Sequence, residues 1–479
     1  MELDCWDGKN DDPMILHGHT ATRPIRFEDA IKGIAENAFR TSQYPVILSL
    51  ENHCNVKQQN VMQEMMKRHF GDKLVCPNLV DNILPPLNSL MGKIILKGKT
   101  LGKVKAHPEQ KSGEETAEEV SDSEDEDDKA QAKAIQHSMK QIKLEKNLTI
   151  SEEGDSEDES STPSRNEEMT TRPQLPGSGG TSEPRLSEHR QRRGSSWFSK
   201  EETPKKEKKA KVDAELSAVT FLGGVKFKSF EQSKAEAKAN EMSSFSENKT
   251  GKLLNDGLGA QWVEYNARQM SRIYPAGVRV NSSNYDPVPS WCVGSQIVAL
   301  NYQTDGVEMQ LNNGKYVENG RCGYLLKPEY LIDASGFDPV TGPFRNPETI
   351  HITIISACQL PKPHASTKGE VIDPFVQLDI KGCDPDNAQF KTEYIEDNGF
   401  NPVWNKKFTI RLNAPELALF HFTVYDNEGQ FLSPRFIATR VIARSCIRPG
   451  LRCVNLCDFS GESRGDFRFA KLLCLIEVE

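Results

Sequence analysis

The sequence lacks the features that mark membrane, secreted and zinc-binding proteins. It has no run of about 18 apolar residues, so no segment predicts a membrane-spanning helix. Its first residues are charged, unlike those of a signal peptide. The 11 cysteines include no Cys-x-x-Cys pair, which argues against a disulfide framework and against a zinc site. We therefore expect a soluble cytoplasmic protein with reduced thiols.

Basic charge and overall hydrophobicity are also low. The net charge is −9, which argues against a general nucleic-acid-binding protein. Hydrophobic residues make up 36% of the chain and the mean hydropathy is −0.60, values that are low for a chain that is packed throughout. The 479 residues predict about three domains, with part of the chain unfolded.

Residues 1–102 alternate between strand and helix patterns. Apolar residues recur at helical spacing between Phe27 and Ala38, and β-rich apolar runs occupy 45–50 and 92–99. Short strands that alternate with helices predict βα units and a parallel sheet, either open or closed into a barrel.

The next segment, 103–213, has a different composition. Its stretch EETAEEVSDSEDEDD contains ten acids in fifteen residues and no base. Such a run repels itself and buries little apolar surface, so we predict a disordered linker. Order returns at 214–332, where the sequence predicts a helix near 251–270 and strands at 294–302 and 323–331.

Residues 348–479 have the period of an all-β domain. Eight short apolar runs, including TIHITIIS and KLLCLIEVE, are separated by Gly, Pro, Asn and Asp. Short strands at regular spacing predict an antiparallel sandwich. The sequence thus predicts two α/β segments on either side of a linker, followed by a sandwich.

Acidic residues lie at the ends of two predicted strands. Glu2 and Asp4 alternate in ELDCWDG, so both are on one face, and Glu51 follows the apolar run at 45–50. Because ligands bind at the carboxyl ends of parallel strands, we expect the three carboxylates to converge on one rim. Oxygen ligands of this kind suit Ca²⁺ or Mg²⁺; the alternative is solvated acids at the starts of loops. His17 follows the next apolar run and would lie on the same rim.

Several longer motifs resemble one family of enzymes. ELDCWDG, HGHT, YPVILSLENHC and GKIILKGK resemble the first catalytic half of the metazoan phosphoinositide-specific phospholipases C, and SRIYPAGVRVNSSNYDPVPSW resembles the second half. DNGFNPVW resembles the following C2 domain, in the form of the delta and eta branches. The resemblance implies an α/β fold: a split, incomplete TIM-type barrel from X and Y halves (1–102 and 214–332), joined by the disordered acidic linker (103–213) and followed by an all-β C2 sandwich (348–479).

The resemblance implies a reaction and a cofactor. The family hydrolyses phosphatidylinositol 4,5-bisphosphate to diacylglycerol and inositol trisphosphate in intracellular signalling, with Ca²⁺ bound at the site. Glu2, Asp4 and Glu51 resemble three of its four side-chain Ca²⁺ ligands, and Glu2 also resembles its general base. His17 resembles the histidine that protonates the departing diacylglycerol oxygen.

Five further residues match substrate-binding positions of the family. Their implied roles are to bind the phosphates of the head group and, for the tyrosine, to stack on the inositol ring; they are Lys97, Lys99, Ser244, Arg272 and Tyr274. Arginine supplies a planar fork that suits phosphate oxygens. Val278 stands where some members carry a bulkier apolar residue that enters lipid, so we expect weaker insertion at that point.

The C2 resemblance implies docking on an anionic membrane, peripherally at the inner face of the plasma membrane. Asp373, Asn398 and Asp426 match positions of loop Ca²⁺ ligands, and Glu428 can replace another acid. Arg435 stands where some members have an aspartate, and a fixed cation there would repel Ca²⁺. Two interpretations stay open, a Ca²⁺-binding C2 domain and a structural one that braces the barrel.

The acidic linker also has two interpretations. It is either a solvated spacer or an electrostatic plug, which would compete with a polyanionic head group for the rim lysines and be repelled by anionic lipid. Four of its serines resemble phosphorylation sites: Ser121, Ser123, Ser156 and Ser195.

The resemblance also bears on the start of the chain. The family's first barrel strand, first catalytic histidine and adjacent asparagine ligand would precede ELDCW. We therefore expect a truncated form that is inactive by itself. The alternative to a phospholipase is a catalytically silent membrane-binding or scaffolding protein.

Overall fold

The structure, a computed structural model, describes most of the chain outside the acidic linker. The described residues are 1–16, 23–77, 79, 82–101, 212–236, 238–279, 281–363, 371–429 and 431–479. The predictions for the linker, its serines and His17 lie outside the described residues. Within the described part, no helix combines the length and the apolar character needed to cross a membrane.

Nine strands from the two α/β segments form one sheet. In chain order they are β1 (Glu2–Trp6), β2 (Met14–Ile15), β3 (Ile25–Arg26), β4 (Val46–Asn52), β5 (Ile94–Gly98), β6 (Leu222–Gly224), β7 (Glu241–Ser246), β8 (Ser271–Tyr274) and β9 (Ile297–Val298). Their order in the sheet is β3-β2-β1-β4-β5-β6-β7-β8-β9. Strand β1 and strands β4 to β9 are parallel, which confirms the prediction from the βα pattern.

The sheet joins the two halves that the linker separates in sequence. Strand β5 ends the first half and β6 begins the second, and they pair in parallel with Lys97 opposite Leu222. This pairing confirms the split barrel. The parallel array is open, because the sheet order places β1 and β9 at opposite ends of the array. A cavity of about 1240 Å³ is lined by residues from both ends, among them Glu2 and Ile297.

The α-helices of the described part connect the strands. They are α1 (Phe27–Asn37), α2 (Val56–Phe70), α3 (Ala214–Val219), α4 (Phe230–Glu236), α5 (Glu247–Asn255), α6 (Gly259–Arg268), α7 (Val288–Cys292) and α8 (Val307–Lys315). Helix α1 carries the predicted apolar face and buries Phe27 and Ile31. Helix α2 begins after Asn55, whose side chain accepts a hydrogen bond from the Gln58 amide, and ends at Gly71.

Two predictions for the second half are wrong. The single helix predicted near 251–270 is two helices, α5 and α6, because Gly257 between them has a φ of 73°, which lies outside the helical region. The strand predicted at 323–331 is irregular apart from a short 3₁₀ turn at Glu329–Leu331. Pro328 has no amide hydrogen to donate to a sheet, which accounts for the difference.

The last segment is an antiparallel sandwich, as predicted, and its described residues form eight strands. They are β10 (Glu348–Cys358), β11 (Pro374–Lys381), β12 (Ala388–Lys391), β13 (Val403–Leu412), β14 (Leu419–Asp426), β15 (Arg435–Ala443), β16 (Gly450–Asn455) and β17 (Lys471–Val478). The two sheets have the orders β13-β10-β17-β16 and β12-β11-β14-β15. Alternate side chains of both sheets fill one core, for example Ile350 and Ile352 of β10 and Phe420 and Phe422 of β14.

Helix α8 attaches the barrel to the sandwich. Gln310 Oε1 lies 3.1 Å from His421 Nε2 and accepts a hydrogen bond from the Thr439 hydroxyl at 3.3 Å. One turn later, a Cβ atom on Gly314 would collide with Val441, so this approach requires glycine. Helix α8 and β15 therefore run side by side in the same direction. Because α8 starts beyond the carboxyl end of β9, the start of β15 lies toward the carboxyl ends of the barrel strands.

Candidate active site

Three carboxylates meet on neighbouring strands, two from the first three residues of β1 and one from the carboxyl end of β4. Glu2 and Asp4 alternate along β1, and the parallel register places Asp4 opposite Glu51 of β4. A carboxylate oxygen of each side chain lies within 4.8 Å of the other two. In the part of the chain that the structure describes, this is the one such group of three or more His, Cys, Asp or Glu side chains. Carboxylates this close repel each other unless positive charge lies among them.

Arg272 of β8 supplies positive charge at this rim. Its Nη2 atom donates to both oxygens of Glu2, at 2.7 and 2.5 Å. The Arg272 side chain is only 12% exposed, and its guanidinium lies 5.1 Å from the centroid of the Tyr274 ring. From the sequence, Arg272 is expected to bind a phosphate and Glu2 a cation. In the structure the two side chains bind each other.

Two aromatic rings lie beside the acids on the same strands. His53 Nε2 is 3.1 Å from Glu51 Oε1, and the imidazole stacks on the Trp6 indole with ring centroids 4.1 Å apart. The hydrogen bond with His53 is the main cause that lowers the pKa of Glu51. Partial burial opposes this effect, while the charges of Arg272 and Lys97 add to it. Glu51 is therefore ionised at neutral pH.

The sequence patterns assign no role to Trp6 or His53, although a signal for both is present. Each ring lies two residues after an acid, Trp6 after Asp4 and His53 after Glu51. Alternation along a strand puts residues two apart on the same face. An acid followed by an aromatic residue at this spacing therefore marks a pair of neighbours.

The residues expected to bind the head group lie on neighbouring parallel strands. Lys97 of β5 is buried, and Ser244 of β7 is paired in register with Arg272 of β8. Tyr274 ends β8, two residues after Arg272. Lys97 and Arg272 line the same cavity as Glu2. Two cations and an acid thus border one cavity, whose lining also includes Pro45 and Met270, just before β4 and β8.

Three other predicted residues differ in their placement. Lys99 is half-buried just beyond β5 and lines a separate small pocket with Asn52. Val278 is half-buried in the loop that follows β8. His17 lies outside the described residues, so the structure gives it no position relative to the acids.

Three protein-family models match this chain. The model of the phosphatidylinositol-specific phospholipase C X domain matches residues 1–100, that of the Y domain matches 216–330, and that of the C2 domain matches 348–452. The chain belongs to the phosphoinositide-specific phospholipase C family.

Similar proteins match nearly the whole length of this phospholipase C chain. The delta-4 1-phosphatidylinositol 4,5-bisphosphate phosphodiesterase of Xenopus laevis is 36% identical over 469 residues, which cover 96% of this chain and 53% of the relative. The human delta-1 protein is 36% identical over 474 residues, which cover 96% of this chain and 53% of that protein. The human eta-1 protein is 33% identical over 512 residues, which cover 95% of this chain and 30% of that protein. The chain spans about half the length of the delta relatives that it matches.

Solved structures agree with the barrel and C2 architecture. The crystal structure of S. officinalis PLC21 covers 100% of this chain and 50% of its own, with a TM-score of 0.69 and 30% identity. The crystal structure of L. pealei PLC21 gives the same coverage, with a TM-score of 0.68 and 29% identity.

The oxygen donors at the rim fit calcium, the cofactor that the phospholipase C family implies. Ca²⁺ takes oxygen ligands from carboxylates in a flexible geometry. Glu2, Asp4 and Glu51 provide such oxygens within 4.8 Å of one another. A divalent cation held by all three carboxylates would add positive charge among them, beside that of Arg272.

The C2 residues expected to bind Ca²⁺ contact the backbone in the structure. Asp373 Oδ1 accepts a hydrogen bond from the Asp397 amide at 2.7 Å, and Asp426 Oδ1 accepts one from the Asp373 amide at 2.8 Å. Asn398 Oδ1 accepts one from the Asn401 amide at 3.0 Å. These side chains stabilise the start of β11 and the loop between β12 and β13.

Arg435 also has a carboxylate partner at this end of the sandwich. Its guanidinium forms an ion pair with Glu428. Burial raises the pKa of Asp426, with Glu428 adding to the rise and Arg435 opposing it. The cation that the sequence places among the loop acids is therefore close enough to act on them.

Proposed function

We propose that this chain supplies the catalytic barrel and C2 domain of a Ca²⁺-dependent phosphodiesterase that hydrolyses phosphatidylinositol 4,5-bisphosphate to diacylglycerol and inositol trisphosphate. The observation that carries the proposal is that Glu2, Asp4 and Glu51 meet beside Arg272 and Lys97. The choice of substrate follows the relatives, whose names describe phosphodiesterases of this lipid.

Glu2, Asp4 and Glu51 would hold the calcium ion through their carboxylate oxygens. The bound ion supplies Lewis-acid chemistry, lowering the pKa of the attacking inositol 2-hydroxyl and offsetting charge in the transition state. Arg272 would exchange its contact with Glu2 for a phosphate oxygen, because carboxylate and phosphate compete for the same guanidinium. Cation binding and head-group binding are therefore expected to strengthen each other.

The ring phosphates would be bound by cations on adjacent strands. Lys97 is buried and offers a compact charge, whereas Arg272 offers a planar set of donors. Ser244, beside Arg272, adds a hydroxyl donor, and Lys99 adds charge just beyond β5. Tyr274, whose ring lies under the guanidinium, would stack on the inositol ring.

Two residues would transfer protons in this mechanism. Glu2 would accept the proton of the inositol 2-hydroxyl as general base once Arg272 leaves it. His17 would donate a proton to the departing diacylglycerol oxygen, a role that its near-neutral pKa as a residue type suits. The role of His17 rests on the sequence resemblance.

The phosphoinositide substrate would bring the protein to the anionic inner face of the plasma membrane. The direction of β15 relative to α8 supports a common orientation, with the C2 loops and the barrel rim toward the bilayer. The C2 domain would act there mainly as a brace, since Arg435 already offsets charge among its acids. The acidic linker would compete with the head group for the rim until the membrane repels it.

A catalytically silent lipid-binding protein is the second candidate. It is favoured by the contact of Arg272 with Glu2, which occupies the carboxylate proposed as general base. Such a protein would keep the C2 sandwich, which has a core of its own.

The test measures both binding and hydrolysis of phosphatidylinositol 4,5-bisphosphate in detergent micelles, with phosphatidylinositol as the comparison lipid and with Ca²⁺ or a chelator. Ca²⁺-dependent release of inositol trisphosphate that is lost in Asp4→Asn supports the phosphodiesterase. Ca²⁺-dependent binding of the bisphosphorylated lipid without release supports the substrate site and the expectation that this chain alone is inactive. The third outcome is lipid binding that is the same with and without Ca²⁺ and for both lipids. This outcome supports the silent protein and contradicts the proposed function.

A further inference from the structure

Trp6, His53 and Glu51 form a continuous row of contacts at the edge of the acidic rim. The indole of Trp6 and the imidazole of His53 are stacked, with their planes 18° apart and their centroids 4.1 Å apart. The same imidazole also contacts Glu51, through a hydrogen bond from His53 Nε2 to Glu51 Oε1 at 3.1 Å. A carboxylate only accepts, so Nε2 carries the proton in this contact.

The strand register brings these side chains together. Asp4 of β1 lies opposite Glu51 of β4, so the residues two further along, Trp6 and His53, are cross-strand neighbours. The His53 amide donates to the Cys5 carbonyl at 2.8 Å, which continues the pairing past the end of β4. The register that brings the acids together therefore also places the His53 imidazole against the Trp6 indole.

Glu51 needs such a partner because its side chain is 52% exposed. An exposed glutamate samples many rotamers and loses this freedom when it binds an ion. Glu2 is held by Arg272 through two contacts. The bond from His53 occupies one oxygen of Glu51 and leaves the other available to a cation.

We propose that His53 is a positioning residue of the candidate cation site: held by Trp6, it orients the Glu51 carboxylate toward Asp4 and Glu2. This inference rests on the proposed function only in requiring that the three acids bind a divalent cation. Partners of metal ligands commonly set the orientation of those ligands.

The first experiment measures Ca²⁺ binding to the full chain by titration calorimetry. His53→Phe retains a ring for Trp6 but removes the donor, and we expect it to weaken Ca²⁺ binding roughly 10- to 100-fold, the range found for such partners. His53→Gln restores a donor without the stacked ring and is expected to recover part of the loss. His69→Phe is the matched control, because His69 pairs with Glu28 at 3.2 Å at the far end of α2.

The second experiment locates the bound ion without an activity assay. The chain has five tryptophans, of which Trp6 stacks on His53. Tb³⁺ bound to the three acids should therefore emit when tryptophan is excited. Trp6→Phe is expected to remove most of this emission while leaving Ca²⁺ affinity close to that of the parent, since phenylalanine can still stack on the imidazole.

The outcomes separate the two proposals. Ca²⁺ binding by the parent that is equally strong in His53→Phe and His53→Gln overturns the role of His53 and leaves the cation site standing. Absence of Ca²⁺ and Tb³⁺ binding in the parent overturns the cation site, and the proposed function and the role of His53 fall with it. If His53→Phe loses its cooperative thermal transition, the affinity of His53→Gln decides: an unchanged affinity overturns the role, and a reduced one supports it.

Discussion

The barrel rim and the loop end of the C2 sandwich both combine strand-end acids with an arginine, and the acids have different partners. At the rim, Glu2, Asp4 and Glu51 face one another within 4.8 Å. At the C2 end, Asp373 and Asp426 accept hydrogen bonds from backbone amides. At the rim the carboxylates lie beside one another, whereas at the C2 end they accept hydrogen bonds that hold turns.

The direction of the strands explains the difference. Parallel pairing puts the carboxyl ends of β1 and β4 side by side, so acids at equivalent positions meet. In the antiparallel pair β11–β14, Pro374 at the start of one strand lies opposite Asp426 at the end of the other. The Asp373 amide then lies within reach of the Asp426 carboxylate. The register thus decides whether acids near strand ends lie beside one another or accept hydrogen bonds from the backbone.

The largest expected effect tests this comparison directly. Asp4→Asn removes a charge from the rim and should weaken Ca²⁺ binding by roughly 100-fold, about 2.7 kcal/mol. Asp373→Asn, the matched change at the C2 end, should leave Ca²⁺ affinity within about twofold of the parent. Calorimetry on both variants is the measurement. A loss in Asp373→Asn as large as that in Asp4→Asn would show that the C2 acids bind the ion.

A second difference between the regions is their response to acid. Burial lowers the pKa of His421 in the sandwich from 6.5 to about 4, with Asp379 opposing and Lys381 adding to the shift. As the pH falls, the unfolded chain binds a proton before the folded one, so the stabilisation is complete above 6.5 and is lost toward pH 4. Between pH 7 and pH 5 the free energy of unfolding should decrease by about 2 kcal/mol.

Urea unfolding of the parent and of His421→Gln measures this acid effect. Hydrogen exchange resolves it by region, with faster exchange expected in β14 and β15 than in β4 and β5 as the pH falls. The slope of stability against pH should be smaller in His421→Gln. An identical slope in both proteins would exclude His421 as the cause.

Arg272 and Arg435 provide the next comparison. Arg272→Ala should weaken binding of the bisphosphorylated head group by about 1.5 kcal/mol or more, the range for hydrogen bonds to charged groups. The same change should strengthen Ca²⁺ binding, because Glu2 is released from the arginine. Arg435→Ala should change neither property at the rim. Head-group and Ca²⁺ titrations of the two variants are the measurement. If Arg272→Ala weakened the binding of both ligands, Glu2 and the head group would not compete for Arg272.

The smallest expected effect concerns the acidic linker as a third acidic region. Deletion of about residues 110–205 should raise binding to anionic vesicles, and any hydrolysis there, by a few fold, because the linker and the membrane repel each other. Vesicle sedimentation and initial rates measure the change, and added salt should reduce the difference between the two proteins. Unchanged or weaker binding would leave the linker as a spacer.

Local pattern alone determined much of this protein. The shared face of Glu2 and Asp4 follows from alternation within β1, and the position of Glu51 near the end of β4 follows from the apolar run before it. The sandwich was predictable because each of its strands contains a short apolar run and is bounded by turn residues. These signals span few residues, and strand periodicity is a property of neighbours in sequence.

The tertiary structure decided which groups bind one another. Arg272 and Glu2 are 270 positions apart, and nothing in either strand reports that their side chains meet before any ligand arrives. The contact of Trp6 with His53 depends on the register between β1 and β4, and the use of Asp426 by the Asp373 amide depends on that between β11 and β14. Register is set by the packing of whole sheets, so a pattern confined to one strand cannot contain it.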